Sequence, residues 1–388
     1  MKPFRVLMFA RYLPPEYSGA AAQAFLLAGR LRARGHRIEF TTQSWNGQRR
    51  DYDVQGFRVT ALPMQLSARH QEFSVWRSLA THLWRRRHQV DILHGHGAYY
   101  TQSILGPFGR LLGKPTLVKA SMSQNDLSSL SHSTIAPVHR RFLRLVDAYV
   151  AISADLQVEF ADKGLATERV WHIPNGVDTD FFQPAGLDRR QELAAQLELP
   201  AERPIALFVG VFDERKRIAW LVEQWIATEG FGTRRHLLAV GPTSRESYGK
   251  ALKTELRQRA EQRPDLVTIR DCTPEIRDYY QASQVLVFPS SKEGLPNTVL
   301  EAMACGLPCV VARAPGSREL VKDGINGATF AVDDADDLRR ALHRITGAED
   351  ELGARGRNIV LERFGIESIT DRYEALYAHL LQAQRKRP

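Results

Sequence analysis

Short apolar runs of four to seven residues alternate with longer stretches of helical spacing along almost the whole chain, and this alternation confines it to one class of fold. A short apolar run bounded by turns reads as a strand buried on both faces. Repeats of strand and helix build parallel sheets from βαβ units. In the first half the strand-like runs are Phe4–Ala10, Ile38–Thr42, Phe57–Leu62, Asp91–His94, Thr116–Lys119, Ala148–Ile152 and Val170–Ile173. Helical spacing separates them: a first helix with Ala22, Phe25, Leu26, Gly29 and Leu31 on one face, then Val75–Arg87, Ser103–Leu112, Ile135–Val146 and Ala154–Lys163. Pro174-Asn175-Gly176 breaks the pattern, as Pro and Gly punctuation does at a linker, and periodicity resumes near Asp188. A second set of strands follows at Ile205–Val209, His236–Val240, Leu266–Ile269, Val285–Phe288 and Cys309–Ala312, and a long helix, Ile366–Gln384, ends the chain. The expected architecture is two doubly wound α/β domains, residues 1–180 and 181–365, with a helical tail over 366–388. Such domains bind ligands at the carboxyl ends of their strands, so a facing pair encloses a cleft.

Charge divides the two halves. Residues 1–180 carry 23 basic and 14 acidic side chains, whereas residues 181–388 carry 30 of each, so the whole net charge of +9 belongs to the first half. No apolar run approaches the roughly 20 residues that span a bilayer. The run Val6–Ala10 is followed at once by Arg11 and reads as a buried strand, not a signal peptide. Cys272, Cys305 and Cys309 form no C-x-x-C pair and offer no disulfide framework. Together these features lead us to expect a cytoplasmic protein.

Two segments carry chemistry. Pro14-Pro15-Glu16-Tyr17-Ser18-Gly19-Ala20-Ala21-Ala22 joins the first strand to its helix, and unpaired N–H groups at a helix start favour an anion such as phosphate. A tight turn packed on the sheet explains the same residues equally well. The stronger segment is Pro289–Pro308, which puts Glu293 on a Gly/Pro loop after a strand and Glu301 within the next helix. Glu-x7-Glu spacing alone is common, but here it is embedded in Glu-Gly-Leu-Pro-Asn and Glu-Ala-Met-Ala-Cys-Gly-Leu-Pro.

That block resembles the Glu-x7-Glu signature of retaining glycosyltransferases of the GT-B fold, in particular glycosyltransferase family 4. Other stretches match in order: Tyr12–Ala22 resembles the family's donor-phosphate loop, Leu31–His36 its first-helix exit, and Asp91–Gly97 its Asp-hydrophobic-hydrophobic-His-x-His strand end. Ile173–Phe182 resembles its interdomain linker, and Val209-Gly210 with Arg215-Lys216, and Gly324–Gly327, complete the set. The resemblance implies a hexosyltransferase-type enzyme that moves a sugar from a nucleotide-diphosphate donor with retention of configuration. The first domain would serve the acceptor and the second the donor, and the terminal helix would cross back to the first domain.

Carried over residue by residue, Glu301 would bind the ribose hydroxyls, and Glu293 with Gly294, Leu295, Asn297 and Thr298 would hold the donor sugar. Lys216 and Arg215, with the backbone at Gly19 and Ala20, would offset charge on the departing diphosphate. His96 would sit over the sugar. His96, Lys216 and Glu293 are thus the expected catalytic set. The resemblance implies no metal or cofactor beyond the nucleotide sugar as co-substrate, and a lipid-linked or saccharide acceptor in surface polysaccharide, lipopolysaccharide or glycolipid assembly. One departure stands out: Val211 follows Gly210 where Arg is frequent, and Arg217 follows Lys216 where Gly is usual.

Plainer readings apply elsewhere. Asp178-Thr179-Asp180 has the form of a metal-binding D-x-D but lies in the expected linker. Asp333, Asp334, Asp336 and Asp337 read as solvated acids at a helix start. His94 and His96 point to one side of a strand with no evident third metal ligand, and His94 reads as a core histidine. Cys305 and Cys309 read as packing residues. In Lys119–Asp126, Ser121 and Asp126 are candidate acceptor contacts, with an ordinary Asx-turn loop as the alternative.

Two helices mix bulky apolar and basic residues, the composition that suits an anionic membrane surface. One has Trp76, Leu79, Leu83 and Trp84 with Arg77, Arg85, Arg86, Arg87 and His88. The other has His139, Arg140, Arg141, Phe142, Leu143 and Arg144. A core-facing apolar side is the alternative. A peripheral enzyme at the inner face of the cytoplasmic membrane is expected. Other GT-B enzymes, such as a nucleotide-sugar epimerase or a phosphorylase-like enzyme, stay open as alternatives, and a nucleic-acid binder is a remote one. No nucleic-acid motif accompanies the basic charge.

Overall fold

A computed structural model describes residues 3–16, 18–44, 46–63, 71–98, 100–122, 126–127, 135–200, 202–243 and 247–386. The chain forms two compact units, residues 1–176 with 366–388, and residues 177–365. The division falls at Gly176, four residues before the expected one.

The first unit holds β1 (Arg5–Ala10), β2 (Arg37–Ser44), β3 (Arg50–Val54), β4 (Phe57–Pro63), β5 (Ile92–His96), β6 (Thr116–Lys119), β7 (Ala148–Ala151) and β8 (Val170–His172). They form one sheet in the order β3-β4-β2-β1-β5-β6-β7-β8. The second unit holds β9 (Ile205–Val209), β10 (His236–Val240), β11 (Val267–Arg270), β12 (Val285–Phe288), β13 (Cys309–Ala312) and β14 (Gly327–Phe330) in the order β11-β10-β9-β12-β13-β14. Every neighbouring pair in the second sheet is parallel. Both orders reverse beside the first strand of the unit, the switch point at which doubly wound sheets take ligands.

Two strands escape the sequence reading. β3 pairs antiparallel with β4 through a two-residue turn at Gln55 and Gly56, whose φ values of 51° and 74° suit a tight hairpin. Its residues, Arg-Asp-Tyr-Asp-Val, are mostly exposed, as suits an edge strand that charge protects from further pairing. β14 is a four-residue strand with only Ala328 and Phe330 to signal burial. Two further differences concern helices. Ser103–Leu112 is split into Tyr100–Ser103 and Leu105–Leu112. In the helix Gly19–Ala33 the expected face is wrong in part: Ala22 is exposed, and the buried set is Ala21, Gln23, Ala24, Phe25, Leu27, Ala28 and Leu31. That helix packs against the terminal helix Ile366–Arg385 as well as against its sheet, so its buried arc is wider than one stripe.

The terminal helix belongs to the first unit. It buries Ile369, Tyr373, Leu376, Tyr377 and Leu380, and Arg34 pairs with Glu367, Asp371 and Glu374 at 2.6, 2.5 and 2.5 Å. Partly exposed pairs of this kind contribute little individually, so the buried aromatic face holds the helix in place. In the second unit all of β9, β10 and β12 is buried, and Phe208, Phe212, Trp225, Phe231 and Val287 lead its core.

Candidate active site

In the second unit, β9 and β12 are parallel neighbours, with Val285 opposite Ala206. Their carboxyl ends therefore deliver two loops side by side, 210–217 and 289–296. Glu293 lies on the second loop and is 7% exposed. Its Oε1 accepts from Arg215 Nη1 at 2.6 Å, Lys216 Nζ at 2.7 Å and Ser290 Oγ at 2.5 Å. The loops are laced further: Ser291 donates through both N and Oγ to the Arg215 carbonyl, and Arg215 Nη1 donates to the Lys292 carbonyl at 2.8 Å. Lys216 lies over the Phe288 ring at 4.5 Å, and its backbone N donates to Asp213 Oδ1. Burial works against charge on both partners. For Glu293, Lys216 and Arg215 outweigh it and hold the carboxyl below its usual range. For Lys216 burial prevails over Glu293 and lowers the ammonium pKa.

Arg217, which stands where the family usually has Gly, is at φ 55°. That left-handed conformation costs a side-chain-bearing residue roughly 1–2 kcal/mol and costs Gly almost nothing, which gives the family's preference a physical reason. Arg217 gains an ion pair with Asp333 at 3.1 Å.

Glu301 projects from the helix Asn297–Ala304, whose first residues are the half-buried Asn297 and Thr298. Its Oε2 accepts from Tyr280 Oη at 2.7 Å, and burial raises its pKa against that bond. Gly294 and Leu295 are buried, and the loop passes so close to Gly316 that a Cβ there would lie 2.3 Å from the Gly294 carbonyl oxygen. Gly316 also has φ 75°, so no other residue fits this contact without strain.

In the first unit His96 ends β5 and is 2% exposed, with neither ring nitrogen hydrogen-bonded within the described residues. It stacks on His94 at 4.1 Å, so the pair does share one side of the strand. His94 Nδ1 meets Tyr377 Oη at 2.8 Å. Burial holds both imidazoles well below their ordinary pKa, hence neutral. Gly19 and Ala20 open the helix Gly19–Ala33 behind the Ser18 cap, and Tyr17 of the same loop lies outside the described residues.

Several expectations need correction. Asp126 is fully buried, and its Oδ2 accepts from Ser121 N and Oγ at 2.5 and 2.9 Å and from Ala98 N and Met122 N. Asp126 Oδ2 therefore brackets its own loop, as in the Asx-turn alternative, with the half-buried Ser121 beside it. Ser123, Gln124 and Asn125 of that loop lie outside the described residues. Asp337 is not solvated: it is buried, pairs with Arg313 and Arg340, and accepts from Ala331 N. Asp334 caps its helix by accepting from Asp337 N at 2.8 Å.

In the basic helices Trp76, Leu79, Leu83 and Leu143 are core, and Trp76 packs on His139 and Phe142, so the two helices adjoin. Arg86 is paired with Glu39, and Arg87 stacks on the exposed Trp84 at 4.5 Å. Arg85, Arg140, Arg141 and Arg144 are exposed.

The packing role expected of the buried cysteines matches what is seen. Asp178 Oδ1 accepts from Asp180 N and Phe181 N in a turn, and Cys305 and Cys309 are buried thiols with raised pKa. Among the described residues no group of three His, Cys, Asp or Glu is clustered to hold a metal, and no helix is long and apolar enough to cross a membrane. Sequence reasoning missed Ser290, Tyr280 and Tyr377. Ser290 had a signal, its place three residues before Glu293, while Tyr377 lies 283 residues from its partner.

Comparison with known proteins places this geometry. Residues 17–181 match the family described as Glycosyltransferase Family 4, and residues 203–347 match Glycosyl transferases group 1. The lipopolysaccharide core biosynthesis glycosyltransferase LpsE of Rhizobium meliloti is 30% identical over 245 residues, 62% of this chain and 67% of that protein. Alpha-maltose-1-phosphate synthase of Mycolicibacterium smegmatis is 28% identical over 62% of this chain, a match that spans 65% of the synthase, just under two thirds. Among solved structures, Anabaena HepE in complex with UDP has a TM-score of 0.79 at 16% identity, covering 97% of this chain and 100% of its own. Sucrose-phosphate synthase from Thermosynechococcus elongatus has 0.77 at 22%, covering 98% and 100%. Both family matches, the likeness to LpsE and the two parallel-sheet units agree: the chain belongs to glycosyltransferase family 4 and has the GT-B fold.

Proposed function

We propose that the protein is a retaining glycosyltransferase that moves a sugar from a nucleotide-diphosphate donor to a lipid-linked or saccharide acceptor, without a metal. The observation that carries this reading is the single Glu293 oxygen shared by Lys216, Arg215 and Ser290 at the ends of β9 and β12. Breaking a glycosidic bond to a diphosphate creates an anionic leaving group and an oxocarbenium-like sugar, so fixed cations aimed at the phosphates lower the barrier. Lys216 and Arg215 take that role. Glu293 keeps both cations ordered before the donor arrives and then accepts hydrogen bonds from the sugar hydroxyls, with Gly294, Leu295, Asn297 and Thr298 completing the cradle. Glu301, held by Tyr280 on one oxygen, uses the other for the ribose. His96, neutral and able to donate or accept, serves the transferred sugar, and the helix start at Gly19 and Ala20 adds N–H groups for the phosphates.

The UDP bound in the HepE structure and the lipopolysaccharide role of LpsE support a nucleotide-sugar donor and a surface polysaccharide or glycolipid product. Exposed Arg85, Arg140, Arg141 and Arg144, with Trp84 beside Arg87, support a cytoplasmic enzyme working at the membrane face. Arg140→Glu with Arg141→Glu should abolish co-sedimentation with anionic vesicles, and undiminished sedimentation would remove that part of the reading.

A thermal-shift screen of UDP-, GDP- and ADP-linked sugars tests the function itself. A ligand at 100 times its Kd stabilises by about 2.7 kcal/mol. A shift with at least one donor is expected, and no shift with any would overturn the reading.

A further inference from the structure

Three lysines are buried among the described residues: Lys119, Lys216 and Lys253. Two have a carboxylate, Lys216 with Glu293 at 2.7 Å and Lys253 with Asp271 at 2.6 Å. Lys119, 5% exposed at the end of β6, has none, and its one neighbour of note is the Tyr373 ring at 5.8 Å. Of the carboxylate at the same end of the sheet, Asp126, Oδ2 is taken by Ser121, Ala98 and Met122. Lys119 is directly opposite His96 in the β5–β6 register, so the two side chains share a face of the sheet. Among the described residues His96 has no hydrogen bond on either ring nitrogen, and the Tyr373 hydroxyl has none either. The ammonium therefore meets no carboxylate and makes no hydrogen bond among the described residues.

A buried cation without a partner is costly, and an apolar side chain of the same length would fill the position more cheaply. An arriving anion removes that cost, while a metal cation would be repelled by the same ammonium.

We propose that Lys119 and His96 form a subsite for an anionic group, a carboxylate or phosphate, carried by one of the sugar substrates. This rests on the proposed transfer reaction and narrows its substrate class. Burial, which pushes the Lys119 ammonium down to about 7, agrees with a cation still waiting for its counter-ion.

Isothermal titration calorimetry on the full chain separates the two sources of the anion. The acceptor arm compares glucuronate and glucose 6-phosphate with glucose, and the donor arm compares UDP-glucuronate with UDP-glucose. At least a tenfold preference for the charged member is expected in one arm, and Lys119→Met should erase it while UDP still binds. No preference in either arm, or a preference that survives Lys119→Met, would overturn the proposal. Failure of UDP and both UDP-sugars to bind, with a Lys119-dependent preference among the free sugars, would instead remove the donor reading and leave this subsite standing. Should Lys119→Met not fold, NMR titration of the lysine ε-carbon in the native protein decides: the preferred anion must raise the Lys119 pKa, and an unmoved pKa contradicts the proposal.

Discussion

In the second unit the charged groups at the strand ends meet one another: Glu293 is locked to Lys216, Arg215 and Ser290 within 2.7 Å. In the first unit the corresponding groups are a histidine pair and a lysine with no carboxylate, backed by tyrosines from a helix near the end of the chain. The contrast divides the labour physically. A cluster in which every charge has an opposite partner can stay ionised while buried and hold cations ready for a diphosphate. An imidazole and ammonium set without an anion is held in its low-charge form by burial and becomes favourable only when a ligand supplies what is missing.

The sharpest way to break this comparison is acid. Burial lowers the pKa of His82, His94 and His96 in the first unit, His82 to about 4, while His236 is the lowered histidine among the described residues of the second. The unfolded chain binds these protons near pH 6.5, so their folded-state stability is full above that pH and falls below it. From pH 7.5 to 5.5 a histidine that stays neutral when folded should cost about 1.4 kcal/mol, so the first unit loses about 4 kcal/mol and the second, with one less deeply buried histidine, less than about 1.4. Lys119 adds in the same direction above pH 7. Hydrogen exchange should show β5 and β6 losing protection well before β9 and β12, and equal loss would refute the contrast.

Removing a cation from the second unit comes next. Lys216→Ala should lower turnover about 100-fold or more, the scale of losing one transition-state donor. Steady-state kinetics with the donor found by thermal shift measures it, and near-normal turnover would show that Arg215 alone serves the phosphates.

The smallest effect sharpens the account of the departure at Arg217. Arg217→Gly removes a left-handed side chain but also the Asp333 pair, so urea denaturation should show a net gain of up to about 1 kcal/mol. A loss of stability would mean that the ion pair dominates.

The strands β9, β10, β12 and β13 were legible because burial on both faces makes a continuous apolar run. Glu293 and Glu301 were legible because a loop-and-helix signature surrounds them. β3 was not, since an edge strand is stabilised by its hairpin and shielded by the same charges that make it read as a loop. Nor was the Tyr377–His94 contact, which only the return of the terminal helix to the first unit creates. Asp337 misled because a lone acid in a sequence does not reveal whether its oxygens are spent on neighbouring N–H and guanidinium groups.

Equilibrium binding of UDP, or of the nucleoside diphosphate of whichever donor the screen selects, tests the division of labour most directly. Glu301→Ala and Lys216→Ala should each weaken it at least tenfold, while His96→Ala and Lys119→Met leave it within about twofold, since those side chains act on sugar and anion. Loss of binding in His96→Ala with retention in Glu301→Ala would contradict the account.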